Sequence, residues 1–176
     1  MACWGIALAL LLKGEIMEVL GIIVEDLVNY KKIGCTILMP YCDFKCNHEC
    51  GKMVCHNRDL IKETKVQITP GELMKHYYLD NPITQAIIFQ GLEPFYYPDQ
   101  LLEFIDGIRE WTDDDIVIYT GYTEEECEAA GYLKYLRRHK NIIIKFGRFI
   151  PDSTQVIDDI LFVKLASDNQ YAKQIS

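Results

Sequence analysis

The chain has 176 residues, of which 49% are hydrophobic and 25% are charged, and its formal net charge is −8. This length and composition are typical of one globular domain with a substantial buried core. The acidic balance argues against binding to DNA or RNA, because the nearest approach to a dense basic run is residues 137–140.

The first sixteen residues contain a nine-residue apolar run from Trp4 to Leu12. The run is shorter than the ~20 residues that span a bilayer, and it lacks the basic segment and the small-residue cleavage site of a secretory signal. Codons for Lys13 to Met17 can contain a purine-rich ribosome-binding site followed by a start codon. We therefore expect residues 1–16 to be a translated upstream extension, residues 17–176 to form one domain, and the protein to be cytoplasmic and free of membranes.

From Met17 onward, strand-like and helix-like patterns alternate along the chain. Short apolar runs predict strands at residues 19–24, 35–39, 85–89, 116–119, 141–146 and 160–165. Capping residues and apolar periodicity predict helices from Thr69 to about residue 79, over 98–111, and over 123–138 with a break near Gly131. This alternation predicts an α/β domain of mostly parallel strands. Five or six strands are too few for a closed eight-stranded barrel, so we expect an open partial barrel.

Three unusual segments directly follow predicted strands, namely residues 41–57, 90–94 and 120–122. The carboxyl ends of parallel strands lie along one edge of a sheet, and reactive sites of such folds are found there. The sequence therefore predicts a functional site where these three segments meet. The aromatic stretch that follows the second segment, residues 95–97, suits either the core or a surface that faces a partner protein.

Four cysteines, at positions 42, 46, 50 and 55, lie in the first of these segments. In a reducing compartment, such a group indicates metal binding or catalysis more than disulfides. One interpretation is a structural site in which all four thiolates bind zinc or an iron–sulfur cluster, although the gaps of three, three and four residues differ from the paired Cys-x2-Cys pattern usual for zinc. Cys35 lies in an apolar strand and is expected in the core. Cys127 has no evident partner.

Several short motifs occur in order over residues 17–176. They are Cys42-Asp43-Phe44-Lys45-Cys46, Cys55-His56-Asn57, Gly91-Leu92-Glu93-Pro94, Tyr119-Thr120-Gly121-Tyr122, Gly147-Arg148-Phe149 and Ser167-Asp168-Asn169-Gln170. This ordered set resembles the radical S-adenosylmethionine (SAM) proteins, and more narrowly the small activating proteins of anaerobic ribonucleotide reductase and related glycyl-radical enzymes. Those proteins carry Cys-x3-Cys-x2-Cys after the first barrel strand and a Gly-Gly-Glu-Pro loop. The resemblance implies a radical SAM type of fold, an open partial (β/α) barrel of about five to six mostly parallel strands.

The chain departs from this family in the spacing of its cysteines, since eight residues separate Cys46 from Cys55 where the family has two. Lengthening a loop in this way costs about 1.2 kcal/mol of closure entropy, whereas metal binding contributes on the order of 10 kcal/mol. The resemblance therefore implies that Cys42, Cys46 and Cys55 each bind one iron of a [4Fe-4S] cluster, with the fourth iron open for the amino and carboxylate groups of SAM. Cys50 as the third ligand is the alternative, but only Cys55 is followed by His-Asn.

The resemblance also implies which residues bind SAM. Glu93 would bind its amino group, and Gly91 would bring the backbone close to its methionine moiety. The other residues expected to bind the cofactor are Asn57, Pro94, Thr120, Gly121, Tyr122 and Arg148, and Asn169 and Gln170 are weaker candidates. Two open alternatives are that His56 and Asn57 cap the following helix, and that Thr120 and Tyr122 only shape their loop. No catalytic residue is expected beyond the cluster and SAM.

The implied function is the generation of a glycyl radical on a large partner enzyme, namely anaerobic ribonucleotide reductase. A reduced cluster would cleave SAM to methionine and a 5′-deoxyadenosyl radical, and that radical would abstract hydrogen from a glycine of the partner. A flavodoxin- or ferredoxin-type protein would supply the electron. Two alternatives are a radical SAM enzyme that acts on a small molecule and a non-catalytic module in which four cysteines bind zinc or a cluster.

Overall fold

A computed structural model describes residues 16–176, so the predicted upstream extension and Cys3 lie outside the described residues except for Ile16. In this part of the chain the strands are β1 (Met17–Val19), β2 (Gly21–Asp26), β3 (Gly34–Met39), β4 (Val66–Ile68), β5 (Ala86–Gly91), β6 (Asp115–Tyr119), β7 (Ile142–Phe146), β8 (Val156–Ile157), β9 (Lys164–Leu165) and β10 (Tyr171–Gln174). The helices are α1 (Lys45–Cys50), α2 (Pro70–Leu73, continued by a π-helical turn over Met74–Tyr78), α3 (Pro98–Arg109), α4 (Glu124–Ala129) and α5 (Tyr132–Leu136).

Six of the strands form one open sheet in the order β10-β7-β6-β5-β3-β2. The central strands β3, β5, β6 and β7 are parallel, and each outer strand, β2 or β10, pairs with its neighbour in the antiparallel direction. Each successive parallel strand is added on the same side of the previous one, so the carboxyl ends of β3, β5, β6 and β7 lie along one edge. The assignment of this sheet to the radical SAM type stays a prediction.

Helices α2 to α5 pack on one face of the sheet, because buried residues of each of them meet alternate residues of the strands. Leu101, Phe104 and Ile105 of α3 belong to the same buried cluster as Ile87 and Phe89 of β5. The opposite face of the sheet carries a smaller apolar cluster, in which Leu161 and Leu165 of the carboxyl-terminal segment cover β5, β6 and β7.

Two helix starts that the sequence predicted are confirmed by their capping hydrogen bonds. Thr69 caps α2 and Thr123 caps α4, and in each case the glutamate three residues later completes a capping box. The predicted break in the helix over 123–138 is also confirmed, since Gly131 adopts a left-handed conformation with φ 82° between α4 and α5. The predicted helix over 98–111 ends earlier, at Arg109.

Of the strand predicted over residues 160–165, only Lys164–Leu165 is a strand; it is β9 and pairs with β8, and the six-stranded sheet is completed by β10 instead. The reason is the side chain of Asp158, whose Oδ1 accepts hydrogen bonds from the backbone of Ile160 and Leu161, at 2.9 Å and 2.8 Å, and folds this segment into turns. Phe162 then takes a left-handed conformation with φ 61°, which a strand does not tolerate. Two smaller corrections concern the predicted strand over 19–24, which is divided between β1 and β2, and the end of the first predicted helix, which is π-helical.

Two of the cysteines lie in the core, in agreement with the expectation for Cys35. Both Cys35 and Cys127 are fully buried in the cluster beneath the helices. None of the helices formed by residues 16–176 has the length and apolar character needed to cross a membrane.

Candidate metal and cofactor site

A cleft of about 200 Å³ lies at the carboxyl edge of the parallel strands. Its walls come from the segments that follow β3, β5, β6 and β7. The predicted site residues that line it are Cys42, Cys46, Cys55, Asn57, Gly91, Glu93, Thr120, Gly121, Tyr122, Arg148 and Gln170. Pro94 and Asn169 do not line this cleft; Pro94 is buried at the start of a 3₁₀ turn, and Asn169 lines a neighbouring cavity.

Three of the four clustered cysteines face the cleft, and the fourth does not. Cys42, Cys46 and Cys55 line it, whereas Cys50 lines the neighbouring cavity together with Glu49 and Arg148. Within residues 16–176, no three His, Cys, Asp or Glu side chains are placed so that they could share one metal ion. In a cluster each thiolate binds a different iron, so three separate thiols around one cleft fit the donor set of a cluster with one open iron.

The backbone around Cys42 is arranged to support its sulfur. Phe44 adopts a left-handed conformation with φ 53°, and its amide donates a hydrogen bond of 3.2 Å to the Cys42 sulfur. Hydrogen bonds of this kind to cysteine sulfur are among the features that tune iron–sulfur clusters. Burial raises the pKa of Cys42 to about 12 and that of Cys46 to about 11, and the neighbouring Cys55 thiol adds to both. Binding of a cluster therefore displaces protons from these thiols.

The eight-residue gap between Cys46 and Cys55 is folded compactly. The helix α1 carries Cys46, and Gly51, in a left-handed conformation with φ 63°, ends the helix and reverses the chain. The side-chain oxygen of Asn47 then accepts hydrogen bonds from the backbone of Val54, at 2.8 Å, and of Cys55, at 2.9 Å. These two bonds hold Cys55 beside Cys46 despite the longer spacing.

Asn47 is thus a residue that the sequence interpretation overlooked, and its role can be tested by removing the acceptor. Asn47→Ala is expected to destabilise the folded conformation of the loop by about 1–2 kcal/mol, because two backbone donors lose their acceptor. Loss of a bound cluster to a chelator, followed by its visible absorbance, should accelerate about tenfold. Asn47→Asp keeps the acceptor and should behave like the wild type; equal acceleration in both variants would contradict this role.

Glu93 is the central buried carboxylate of the cleft, with only 5% of its surface exposed. Its Oε1 accepts hydrogen bonds from the Thr120 hydroxyl at 2.6 Å and from the Phe95 amide at 3.0 Å, and its Oε2 accepts one from the Gly121 amide at 2.8 Å. Burial raises the pKa of Glu93, and these hydrogen bonds oppose the rise. The arrangement joins the loop after β5 to the loop after β6 through one carboxylate.

The loop that carries Glu93 is also tied to the cysteine segment. Gly91 has φ 102° and lies so close to Met39 that a Cβ there would be 3.1 Å from its backbone nitrogen, a position that requires glycine. The carbonyl of Gly91 accepts a hydrogen bond of 2.8 Å from the Asn57 side chain. Asn57 makes no side-chain cap for the 3₁₀ turn that follows it, so the capping alternative for this residue is wrong.

The remaining predicted residues take positions that hold the loops together. The Tyr122 hydroxyl donates to Asp43 at 3.1 Å, which connects the loop after β6 to the cysteine segment. Arg148 lies 2.6 Å from Glu126 and 3.1 Å from Glu49, so its guanidinium anchors α1 to the start of α4. In the aromatic stretch, Phe95 is buried against Tyr132, whereas Tyr96 and Tyr97 are exposed.

A second functional group that the sequence interpretation overlooked is Lys145, a buried lysine of β7 whose side chain lines the cleft. Burial lowers its pKa to about 8, and the negative charge of Glu93 opposes this effect. The available signal was a single charged residue within an otherwise apolar strand, residues 142–146.

The cleft, with its three thiols beside a buried carboxylate, has the donor set that a cluster-binding protein needs. A family model described as "4Fe-4S single cluster domain" matches residues 33–161, which include the cysteine segment and all four parallel strands. The chain belongs to this family and is an iron–sulfur protein. No curated protein and no solved structure matches the chain.

Proposed function

We propose that this protein is a [4Fe-4S]- and SAM-dependent radical enzyme that generates a glycyl radical on a partner enzyme of the anaerobic ribonucleotide reductase type. The observation that carries the proposal is the meeting of Cys42, Cys46 and Cys55 with the Glu93 loop and the 120–122 loop around one cleft. The open sheet with four central parallel strands supports the radical SAM type of fold. The motifs in these loops resemble those of the small activating proteins.

In this proposal Cys42, Cys46 and Cys55 would hold the cluster in the cleft that Glu93 also lines. When bound, the cluster and SAM supply one-electron cleavage of the sulfonium and abstraction of a hydrogen atom from a glycine. The residues of the chain bind and orient the cofactor. Glu93 accepts a hydrogen bond from the SAM ammonium, for which a carboxylate is a strong partner. Asn57 holds the Gly91 carbonyl in position, and Thr120 fixes the rotation of the Glu93 carboxylate.

The partner would approach an aromatic cluster next to the cleft. Tyr41, Tyr96 and Tyr97 pack against one another beside the cysteine segment, with ring centroids 4.8–5.7 Å apart. Tyr96 and Tyr97 are exposed, and exposed aromatic residues are enriched where proteins bind one another. These tyrosines line a small cavity that shares Glu93 with the cleft. This aromatic cluster is our candidate contact for a loop of a glycyl-radical enzyme, with a flavodoxin- or ferredoxin-type protein as the source of the electron.

The proposal is tested under anaerobic conditions with protein reconstituted with iron and sulfide. Addition of SAM and a strong reductant is expected to yield 5′-deoxyadenosine and methionine. Addition of a glycyl-radical enzyme is then expected to give the doublet signal of a glycyl radical in electron paramagnetic resonance. A protein that carries a stable cluster yet cleaves no SAM would instead be a non-catalytic iron–sulfur module. Cleavage of SAM with transfer of hydrogen from a small molecule alone would indicate the small-molecule alternative.

A further inference from the structure

The floor of the cleft carries a buried positive charge that no motif of the resemblance includes. Lys145 lies on β7, in register with Tyr119 of β6 and Ala172 of β10. Its neighbours along the strand, Ile144 and Phe146, point into the core beneath the helices, so Lys145 faces the other side of the sheet. Only 7% of its surface is exposed, and that part lies in the cleft.

The ammonium of Lys145 has few partners within the protein. Its Nζ donates one hydrogen bond of 2.8 Å, to the carbonyl of Gly147, which also accepts a bond of 3.2 Å from Gln170. An ammonium has three donors. Within residues 16–176, Lys145 forms no salt bridge, because no carboxylate oxygen of this part of the chain lies within 4.0 Å of its Nζ. A buried ammonium without a countercharge is costly, and a ligand that supplies the countercharge removes this cost.

The same cleft holds one buried negative charge at a distance from the positive one. Glu93 Oε2 accepts a single hydrogen bond, from the amide of Gly121, so one of its lone pairs is available to a ligand. The charge of Glu93 acts on Lys145, although the two groups form no salt bridge. Two separated, buried and opposite charges complement a ligand that carries a positive and a negative group on the same carbon atom. The α-ammonium and α-carboxylate of an amino acid are such a pair.

We infer that Lys145 binds the α-carboxylate of the methionine moiety of SAM, while Glu93 binds its α-ammonium. This inference rests on the proposed function, since it takes SAM as the ligand of the cleft. It assigns to β7 a recognition role that depends on a position outside the family motifs. Lys145 is a binding residue here, and the carboxylate completes its hydrogen bonds in place of water.

The experiment compares two ligands that differ only in the carboxylate, SAM and decarboxylated SAM. Their dissociation constants are measured anaerobically by equilibrium dialysis with the reconstituted holoprotein. Lys145→Met removes the charge and keeps most of the length of the side chain, and Lys134→Met on the exposed face of α5 is the matched control. We expect Lys145→Met to raise the dissociation constant of SAM about 10- to 100-fold, as for loss of a charge-assisted hydrogen bond. The dissociation constant of decarboxylated SAM should change less than about twofold. Lys134→Met should change neither.

Three results would overturn the inference. Equal weakening of both ligands would mean that Lys145 only shapes the cleft. Unchanged binding of both would mean that it does not contact the cofactor. Unchanged SAM binding together with weaker binding of the partner enzyme would place a carboxylate of the partner on Lys145. Circular dichroism and thermal unfolding confirm that the variant is folded.

This test separates the inference from the proposed function. If the wild type binds SAM with the expected dependence on Lys145 but forms no 5′-deoxyadenosine, the carboxylate site stands and the radical activity fails. If 5′-deoxyadenosine forms and the Lys145→Met variant binds SAM as the wild type does, the activity stands and the site fails. A wild type that binds neither ligand overturns both.

Discussion

Cys55→Ala is expected to abolish cluster binding, whereas Cys50→Ala is expected to leave the cluster in place. The two cysteines are five residues apart, but only Cys55 faces the cleft with Cys42 and Cys46. With Cys55 removed, two thiolates remain, and a cubane held at three corners loses one of its protein ligands. The iron content of the reconstituted protein should fall from about four atoms per chain to fewer than about one.

Cys50→Ala serves as the matched control, since it removes a thiol from the same loop without touching the cleft. Iron and sulfide analysis, visible absorbance and the paramagnetic resonance signal of the reduced cluster measure the outcome. Loss of the cluster in Cys50→Ala with retention in Cys55→Ala would make Cys50 the third ligand. Loss in both variants would indicate a site that all four thiolates close, and the enzyme proposal would lose its open iron.

Lys145→Met is expected to make the apoprotein more stable, although it damages the proposed SAM site. Burial lowers the pKa of Lys145 from 10.5 to about 8, which corresponds to a destabilisation on the order of 3 kcal/mol while the lysine is charged. The variant loses one hydrogen bond to Gly147, but Gln170 still donates to the same carbonyl. A group that costs stability in the absence of ligand is expected at a binding site.

The effect should depend on pH in a direction that follows from the lowered pKa. Between about pH 8 and pH 10.5 the unfolded chain binds more protons at this lysine than the folded chain, so the wild type gains stability as the pH rises through this range. The advantage of Lys145→Met is therefore largest below about pH 8 and shrinks toward pH 10.5. Urea unfolding of both apoproteins at several pH values measures the difference, with Lys134→Met as the control. A variant less stable than the wild type at neutral pH would refute the prediction.

Much of the fold was predictable from local patterns. Strands β3, β5, β6 and β7 are short apolar runs, and the starts of α2 and α4 are marked by a threonine with a glutamate three residues later. Such signals arise within a few residues, so they can be read along the chain. The segment over residues 160–165 misled the prediction because its apolar composition resembles a strand. Its turns depend on Asp158, whose other oxygen also binds the amide of Ala172 at 2.7 Å.

The candidate site was predictable in part, for a topological reason. Parallel strands that each end in an unusual loop bring those loops to one edge, so the cysteines, Glu93 and Thr120 were expected to be neighbours without any knowledge of the sheet order. The two residues overlooked, Asn47 and Lys145, have ordinary local surroundings. Asn47 matters because it reaches across seven or eight residues to Val54 and Cys55. Lys145 matters because the strands on either side of it, β6 and β10, bury its side chain in the cleft.

The chain's own residue order was therefore enough to define an iron–sulfur protein with an α/β core and a cysteine-bearing loop after its first parallel strand. It favoured Cys55 over Cys50 only through the His-Asn that follows Cys55, and it did not place a positive and a negative charge in one cleft. Those features depend on contacts between residues far apart in the chain, such as Glu93 with Thr120 and Asn57 with Gly91. Burial strengthens these contacts, because it removes water from the charged groups and leaves only their few protein partners to stabilise the charge.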